Sequence, residues 1–355
     1  MNKTTQLFYK DRPMFGLDIG ASTVRVIQFQ NRKDSINLLG YGSTKFDSGY
    51  IKDGVIVNIE DMAKKIHDLF DGKIVGKIST RRVAIGVPAV QTFSRVITVP
   101  NVKQSDLTEA VQLETEQYMP LPMDELYTDF ETLSVSKDSL EVLVVAIPKP
   151  VVDSRVALAN ILGLEIETIE PTINAGSRFF AHTDKSRIPT ILVDLDHISS
   201  DIAAFDTSIK VISSVPGGGD NFIQSIAKKL DITDHEAILV KNKYGLNVSK
   251  KQKLITEALK PTIDSMLREI KRTIRYYEDR NSDDRKISQV VTMGSGANMP
   301  GLSDYMTQSL RMPVRMCNPW QYIGIKDIQP PSITEEQSFI TCAGLALTSA
   351  KEVLS

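Results

Sequence analysis

The sequence predicts an α/β fold in which a ribonuclease H-like half is built twice, with a small α/β insertion between the copies. Two distant segments share one pattern: Phe15-Gly16-Leu17-Asp18-Ile19-Gly20-Ala21-Ser22-Thr23-Val24-Arg25-Val26 and Ile191-Leu192-Val193-Asp194-Leu195-Asp196-His197-Ile198-Ser199-Ser200-Asp201-Ile202. In each, an apolar run reaches an aspartate, turns through short polar residues and returns as a second apolar run, which describes a β-hairpin with a carboxylate at its mouth. A third strand and then a helix follow each hairpin. The chain between the copies has a different character, with prolines and its own helices and strands.

In the first copy, residues 15–17, 24–29 and 36–41 are apolar, β-branched strands, with a turn over 31–35. Met62, Ile66 and Leu69 share one face of a helix over 61–70, and 83–87 returns to strand before Pro88. In the insertion, Pro100 precedes a helix with Ser105 as N-cap and Leu107, Ala110 and Val111 inward. It ends near Tyr118, because Met119-Pro120-Leu121-Pro122 cannot continue it. Strands over 127–135 and 140–147 and a helix over 150–162 complete the insertion. The second copy brings strands over 190–195, 202–205 and 209–215 and a helix over 222–230. A long helix over 260–279 follows, with Ile263, Met266, Leu267, Ile270, Ile274 and Tyr277 recurring at helical spacing and Pro261 in its first turn. A strand over 289–292, a glycine-rich turn, a helix over 303–310 and a compact closing helix over 339–354 end the chain. The expected domains are therefore a first half (14–86 with 164–189 and 335–355), an insertion (87–163), a second half (190–217 with 287–334) and a helical subdomain (218–286).

Composition excludes several classes. With 355 residues, 41% of them hydrophobic, the chain can bury a substantial core, and its formal net charge of −2 points to neither nucleic acid nor an acidic membrane surface. Arg268, Lys271, Arg272 and Arg275 lie on the solvated side of the long helix without interleaved aromatics, so they do not make a nucleic-acid stripe. Cys317 and Cys342 stand in apolar contexts and read as buried, reduced thiols of a cytosolic protein. No apolar run approaches the roughly 20 residues that span a bilayer. Residues 1–13 carry Asp11 and lack the apolar stretch of a secretory signal, so a cytoplasmic protein is expected, held at any membrane by something else.

A hairpin tip of small residues lets backbone N–H groups approach phosphate oxygens. Gly20, Ala21, Ser22 and Thr23 suit that task, and Asp18 is placed to order a water on a magnesium ion, which usually keeps several waters. The repeat at Asp194 supplies a second such aspartate. Two hairpins gripping the phosphates of one nucleotide make an actin-like arrangement. The run Met293-Gly294-Ser295-Gly296-Ala297-Asn298 follows a strand and precedes a helix; it suits a base and ribose lying on flat backbone, and equally a tight turn or a phosphate loop. Gly217, Gly218 and Gly219 lead into a helix whose N-terminus favours anions, or form a flexible turn with Asp220 as N-cap. The four histidines lack metal spacing, and no Walker A loop, G-x-S-x-G or cysteine–histidine dyad is present.

Over nearly its whole length the chain resembles the PilM family, actin-like cytoplasmic proteins of the type IV pilus inner-membrane platform related to the division protein FtsA. The residues that carry the resemblance are Phe15 to Gly20, the stretch Leu113-Glu114-Thr115-Glu116-Gln117-Tyr118-Met119-Pro120-Leu121-Pro122, Val151-Val152-Asp153-Ser154-Arg155, the glycine loop from Gly294, and Asn318-Pro319. The resemblance implies an actin core whose small subdomain is replaced by the insertion. It also implies ATP or ADP with magnesium in the cleft, and the N-terminal tail of a PilN-like membrane protein docked between first half and insertion. Other platform proteins, motor ATPases and homo-oligomers remain open. By position, Asp18, Gly20, Ser22 and Thr23 would hold phosphate and metal, Asp194, Ser199 and Ser200 would form the second loop, and Gly294, Ser295 and Gly296 would face adenosine. Glu236 and Lys241 would contact ribose and base.

One departure stands out: Asp196 and His197 replace a glycine and a small residue in the second loop. A carboxylate about 5 Å from a phosphate charge costs on the order of 3 kcal/mol at an effective dielectric of 20, unless a cation offsets it. Asp196 is thus expected either to turn away or to weaken ATP binding and hydrolysis. No residue evidently positions an attacking water, and Asp194 is the sole candidate for a catalytic role. The expected function is a nucleotide-binding scaffold whose cleft angle sets partner affinity. The alternatives are an FtsA-like membrane filament and a small-molecule kinase of the same superfamily.

Overall fold

The computed structural model describes residues 12–32, 35–280, 285–326 and 328–348. The start of the chain, part of the expected 31–35 turn and the end of the expected closing helix lie outside them. In the first half, β1 (Phe15–Ile19), β2 (Thr23–Arg32) and β3 (Ser35–Lys45) form an antiparallel meander. After the ribbon β4 (Ile51–Lys52) and β5 (Val55–Ile56), helix α1 (Ile59–Gly72) and β6 (Val75–Gly76), strand β7 (Arg82–Val87) returns parallel to β1. The insertion contributes β8 (Phe93–Pro100), α2 (Gln104–Glu116), β9 (Leu126–Val135), β10 (Ser139–Pro148) and α3 (Lys149–Leu162). Strand β11 (Glu165–Pro171) then pairs parallel with β7, and α4 (Thr172–Thr183) leads into the second half.

There β12 (Thr190–Leu195), β13 (Ser199–Asp206) and β14 (Ser208–Pro216) repeat the meander. They are followed by α5 (Gly219–Leu230), α6 (Asp234–Lys243), α7 (Gln252–Arg280), β15 (Gln289–Met293), α8 (Leu302–Leu310) and β16 (Val314–Met316). Strand β17 (Ile323–Ile325), the short α9 (Ile333–Glu336) and α10 (Ile340–Ala346) end the described chain. The two large sheets run β11-β7-β1-β2-β3-β17 and β14-β13-β12-β15-β16, so the duplication extends to strand order.

Period-two alternation decides which residues meet across the molecule. Phe15, Leu17 and Ile19 face outward onto Met62 and Ile66 of α1 and Leu158 of α3. Ile191, Val193 and Leu195 likewise face outward onto Phe222 of α5 and Ile263 and Met266 of α7. The inner faces share a third cluster in which Ile27 and Phe29 of one sheet and Leu192 and Val291 of the other join Phe179 of α4 and Ile340 and Ala343 of α10. Helices α4 and α10 are therefore the filling between two sheets. Gly16 makes this possible, because a Cβ there would overlap the Cys342 carbonyl oxygen, and Gly344 does the same against the carbonyl of Ala175. Both cysteines are buried and unbridged, and the Cys342 thiol donates to the Gly16 and Arg25 carbonyls at 3.3 Å.

The insertion is a three-stranded antiparallel sheet, β8-β10-β9, with Leu107 and Val111 of α2 packed on Val142 and Val144. Three local expectations are corrected. Ser105 does not cap α2: the helix starts at Gln104 after Lys103, and the Ser105 hydroxyl bonds Asp106 instead. Helix α7 starts at Gln252, so Pro261 lies inside it, its missing N–H absorbed by an amphipathic helix anchored through Ile255 and Leu259 before the proline as well as Ile263 after it. Residues 323–325, grouped with the second half by sequence, pair with β3 of the first, because the apolar β3 edge is open to them.

The close approach of α10 to α4 yields a test. Gly344→Ala is expected to lower the urea midpoint by the equivalent of about 1–3 kcal/mol, and an unchanged midpoint would contradict the packing just described.

Candidate functional site

The two hairpins correspond bond for bond at their tips. The Gly20 amide donates to the Thr23 carbonyl at 3.0 Å, and the Asp196 amide to the Ser199 carbonyl at 3.2 Å. In register, Asp18 stands opposite Arg25 and Asp194 opposite Asp201. Gly20, Ala21 and Arg25 of the first hairpin are therefore equivalent to Asp196, His197 and Asp201 of the second. Asp18 and Asp194 share the alternation of Gly16 and Leu192, so both project from inner sheet faces toward the gap between the halves.

A cavity of about 10 Å³, room for roughly one water-sized particle, lies there, lined by Asp18, Arg25, Asp194, Asp196, Ser295 and Thr341 among others. Asp196 does not turn away. Arg25 Nη1 lies 3.4 Å from Asp18 Oδ2, and the Thr341 hydroxyl donates to Asp194 Oδ2 at 3.2 Å. Burial pushes Asp18 up to about 6 despite Arg25, with Asp196 adding to the rise. Burial also raises Asp194 well above the carboxylate range, helped by the charges of Asp196, Asp201 and Asp18. Asp201, held up at about 7 mainly by burial, leaves Oδ1 without a partner among the described residues. A desolvated carboxylate cluster whose ion pair among the described residues is Arg25 with Asp18 is short of positive charge. Among the described residues no three histidine, cysteine or carboxylate side chains converge on one point, so a divalent cation here would be held through water, as magnesium usually is.

The remaining expected residues divide. At the first tip, Ala21 and Ser22 are half-buried, and among the described residues no backbone acceptor meets their amides, so they are free to bind an anion. Ser200 is buried and donates to the Gly217 carbonyl at 2.7 Å, and Ser199 is buried beside it. Gly217, Gly218 and Gly219 do reach this region, but their amides are spent. Gly217 bonds Ile198, Gly219 bonds Asp196, and Gly218 bonds Asn221 Oδ1 at 3.2 Å. A Cβ on Gly218 would overlap the Asp196 carbonyl oxygen, so the loop is glycine because it is clamped to the second tip. Gly218, not Asp220, is the N-cap of α5, which frees the Asp220 carboxylate to bond His197 Nδ1 at 3.1 Å. Gly294, at φ +85°, lies so close to Asp194 and Leu195 that no side chain fits; Ser295 lines the cavity and Gly296 is buried on Leu195. Lys241 comes near Gly219, and burial lowers its pKa. Glu236 is exposed; it accepts from the Thr233 amide and hydroxyl at 2.9 Å and closes the capping box of α6.

Sequence reasoning missed Arg25, Thr172, Asp201, Ser338 and Thr341. Arg25 and Asp201 were findable, since each lies seven residues past its hairpin's aspartate, where a two-stranded register returns the chain to the same face. Thr341 arrives only through the tertiary placement of α10, and Ser338 through that of the turn before it.

Asp201 carries a pH signature. A carboxyl raised in the folded state binds protons that the unfolded chain has released, so its contribution to stability is complete below about pH 4 and lost as pH rises through about 7. Asp201→Asn is expected to flatten this decline and raise the urea midpoint at pH 8 relative to the parent; the same slope in both proteins would show that Asp201 is not the buried charge.

A family model described as type IV pilus assembly protein PilM matches residues 16–350. The cell division protein FtsA of Bacillus subtilis (strain 168) is 26% identical over 361 residues, covering 88% of this chain and 80% of that protein. FtsA of Streptococcus pneumoniae is 22% identical over 360 residues, covering 88% and 76%. Among solved structures, a PilM-PilN type IV pilus biogenesis complex is similar with a TM-score of 0.81 at 21% identity, covering 95% of this chain and 98% of that one. MreB5 of Spiroplasma citri bound to AMPPNP is similar at 0.52 and 13%, covering 95% of each. The expected duplicated ribonuclease H-like, actin-like fold is the fold found.

Proposed function

Because the chain belongs to the type IV pilus assembly protein PilM family, we propose that it is an ATP-binding scaffold of a pilus assembly platform, and that it captures the N-terminal tail of a PilN-like membrane protein. The observation that carries this reading is a groove of about 460 Å³ with three walls. Strands β9 and β10 of the insertion form one wall, β11 and α4 of the first half another, and the β13–β14 turn of the second half the third. Phe130, Val145, Ile147, Ile169, Phe205 and Ile209 give it an apolar lining, and Arg178, bonded to both oxygens of Glu170 at 2.7 and 2.8 Å, gives it a polar wall. Strand β9 is the edge of its sheet and largely exposed, so an extended peptide can run beside it while its side chains fill the groove. Among the described residues no helix is long and apolar enough to cross a membrane, so a tail of a membrane-spanning partner would supply attachment.

The cleft would take the nucleotide. Asp18 and Asp194 would hold hydrated magnesium, which neutralises phosphate charge. Gly20, Ala21, Ser22 and Thr23 would receive phosphates, and Gly294, Ser295 and Gly296 would face the adenosine. The acid cluster fits a cation, but the cavity fits little more than an ion, so a nucleotide needs the halves further apart than they stand here. Strand β13 runs from the cleft at Ser199–Asp201 to the groove at Phe205, so opening one end shifts a wall at the other.

Calorimetry with a peptide of the PilN-like N-terminal tail tests this. Ile209→Glu is expected to weaken the peptide at least tenfold, by placing an unpaired charge in an apolar groove. Undiminished affinity would move the docking site elsewhere. Peptide affinity is expected to differ with and without Mg-ATP; equal values would remove the coupling and leave the scaffold.

A further inference from the structure

The second hairpin has lost the groups with which the first can hold an anion. Its counterpart of Gly20 is Asp196, its counterpart of Arg25 is Asp201, and the glycine loop beside it has given the Gly217 and Gly219 amides to the hairpin's own carbonyls and the Gly218 amide to Asn221 Oδ1. Three carboxylates, Asp194, Asp196 and Asp201, thus gather on a half that must face a polyanion. His197, equivalent to Ala21, is the one ionisable nitrogen on that tip. Its ring is fixed from one side by Asp220 at 3.1 Å, and its other nitrogen, Nε2, is buried with no partner among the described residues.

We propose that His197 is the cationic phosphate contact of the second hairpin, binding the nucleotide through Nε2–H while Asp220 holds Nδ1–H. The inference rests on the nucleotide reading of the cleft. It explains why an aspartate is tolerated where backbone should approach phosphate: the imidazolium beside Asp196 offsets its charge. The groups that bear on the ring are known from every side. Asp196 adjoins it on the turn, Asp220 bonds it from α5, Asp18 and Arg25 act on it from the first hairpin, and Lys241 of α6 faces Asp220. The hydrogen bond to Asp220 comes first among the causes that raise the imidazole pKa, ahead of the opposing effect of burial. The cationic form is therefore more favoured than in a free imidazole, and a phosphate would favour it further.

The test uses the whole protein with Mg-ADP as probe, titrated at about pH 6 and pH 8, either side of the ordinary imidazole value. The parent is expected to bind about tenfold more tightly at the lower pH, as loss of one charge-assisted hydrogen bond implies. His197→Gln should lose most of that slope, and comparing the two proteins cancels the titration of the nucleotide itself. Asp220→Asn should retain tight binding only at lower pH, because its imidazole gives up the proton sooner. Independently, the His197 Cε1 proton resonance should titrate at higher pH once Mg-ADP is bound. Binding with equal pH slopes in parent and His197→Gln, or a His197 titration unmoved by saturating Mg-ADP, overturns the inference alone. No binding of Mg-ADP at either pH overturns the nucleotide reading as well.

Discussion

The apolar layer of α4 and α10 between the two sheets is the constraint on which the structure depends. Each sheet must bury two faces, and strand alternation sends every second residue of β1 and β12 into that shared layer. The layer ends where Asp18 and Asp194 take the next inward positions after Gly16 and Leu192. The carboxylates face one another because the apolar residues before them do. Their raised pKa values follow from the same geometry: the helices that exclude water from the core exclude it from the carboxylates too. The site is a continuation of the core with its chemistry reversed.

This is also why so much was legible in the sequence. The paired hairpins, the insertion and the strand order follow from alternation and turn chemistry, which are local properties. Asp18, Asp194, Asp196 and the Gly294 loop line one cavity, as their positions in the repeat imply. What escaped depends on tertiary contact. Nothing local says that α10 brings Thr341 to Asp194, or that residues 323–325 cross back to β3. Glu236 has a local partner that the reading of its motif did not consider. A glutamate three residues after a threonine at a helix start has a local partner available, and the capping box here takes it. Gly217 to Gly219 were likewise read for what glycine permits toward a ligand, whereas Gly218 is needed because a neighbouring carbonyl leaves no room.

The duplicated hairpins are alike in backbone and unlike in charge, balanced in the first and acidic in the second. Arg25 facing Asp18 makes a pair that can remain ionised in the absence of ligand, while Asp201 facing Asp194 makes a pair that cannot. The halves therefore differ in what they ask of a ligand. The first offers donors to an anion, and the second demands positive charge. A ligand that satisfies both must turn negative charge to the first half and positive charge to the second.

That difference bears on whether the cleft can act as a switch. A ligand shifts a conformational equilibrium only by its differential affinity for the two states, so one held equally well by open and closed halves would change nothing however tightly it bound. Contacts confined to one half give no such preference, because they travel with it. Here the first tip and Arg25 belong to one sheet, whereas Asp194, Asp196 and His197 belong to the other, so the full set of contacts exists at a limited range of cleft angles. Strand β13 begins at the cleft and ends about 20 Å away at roughly 3.4 Å per residue, where Phe205 walls the groove. The Tyr277 hydroxyl of α7 donates to Asp206 there at 2.8 Å, which ties the far end of the strand to its own half. In the proposed scaffold, a ligand that fixed the angle would therefore also fix the width of the groove.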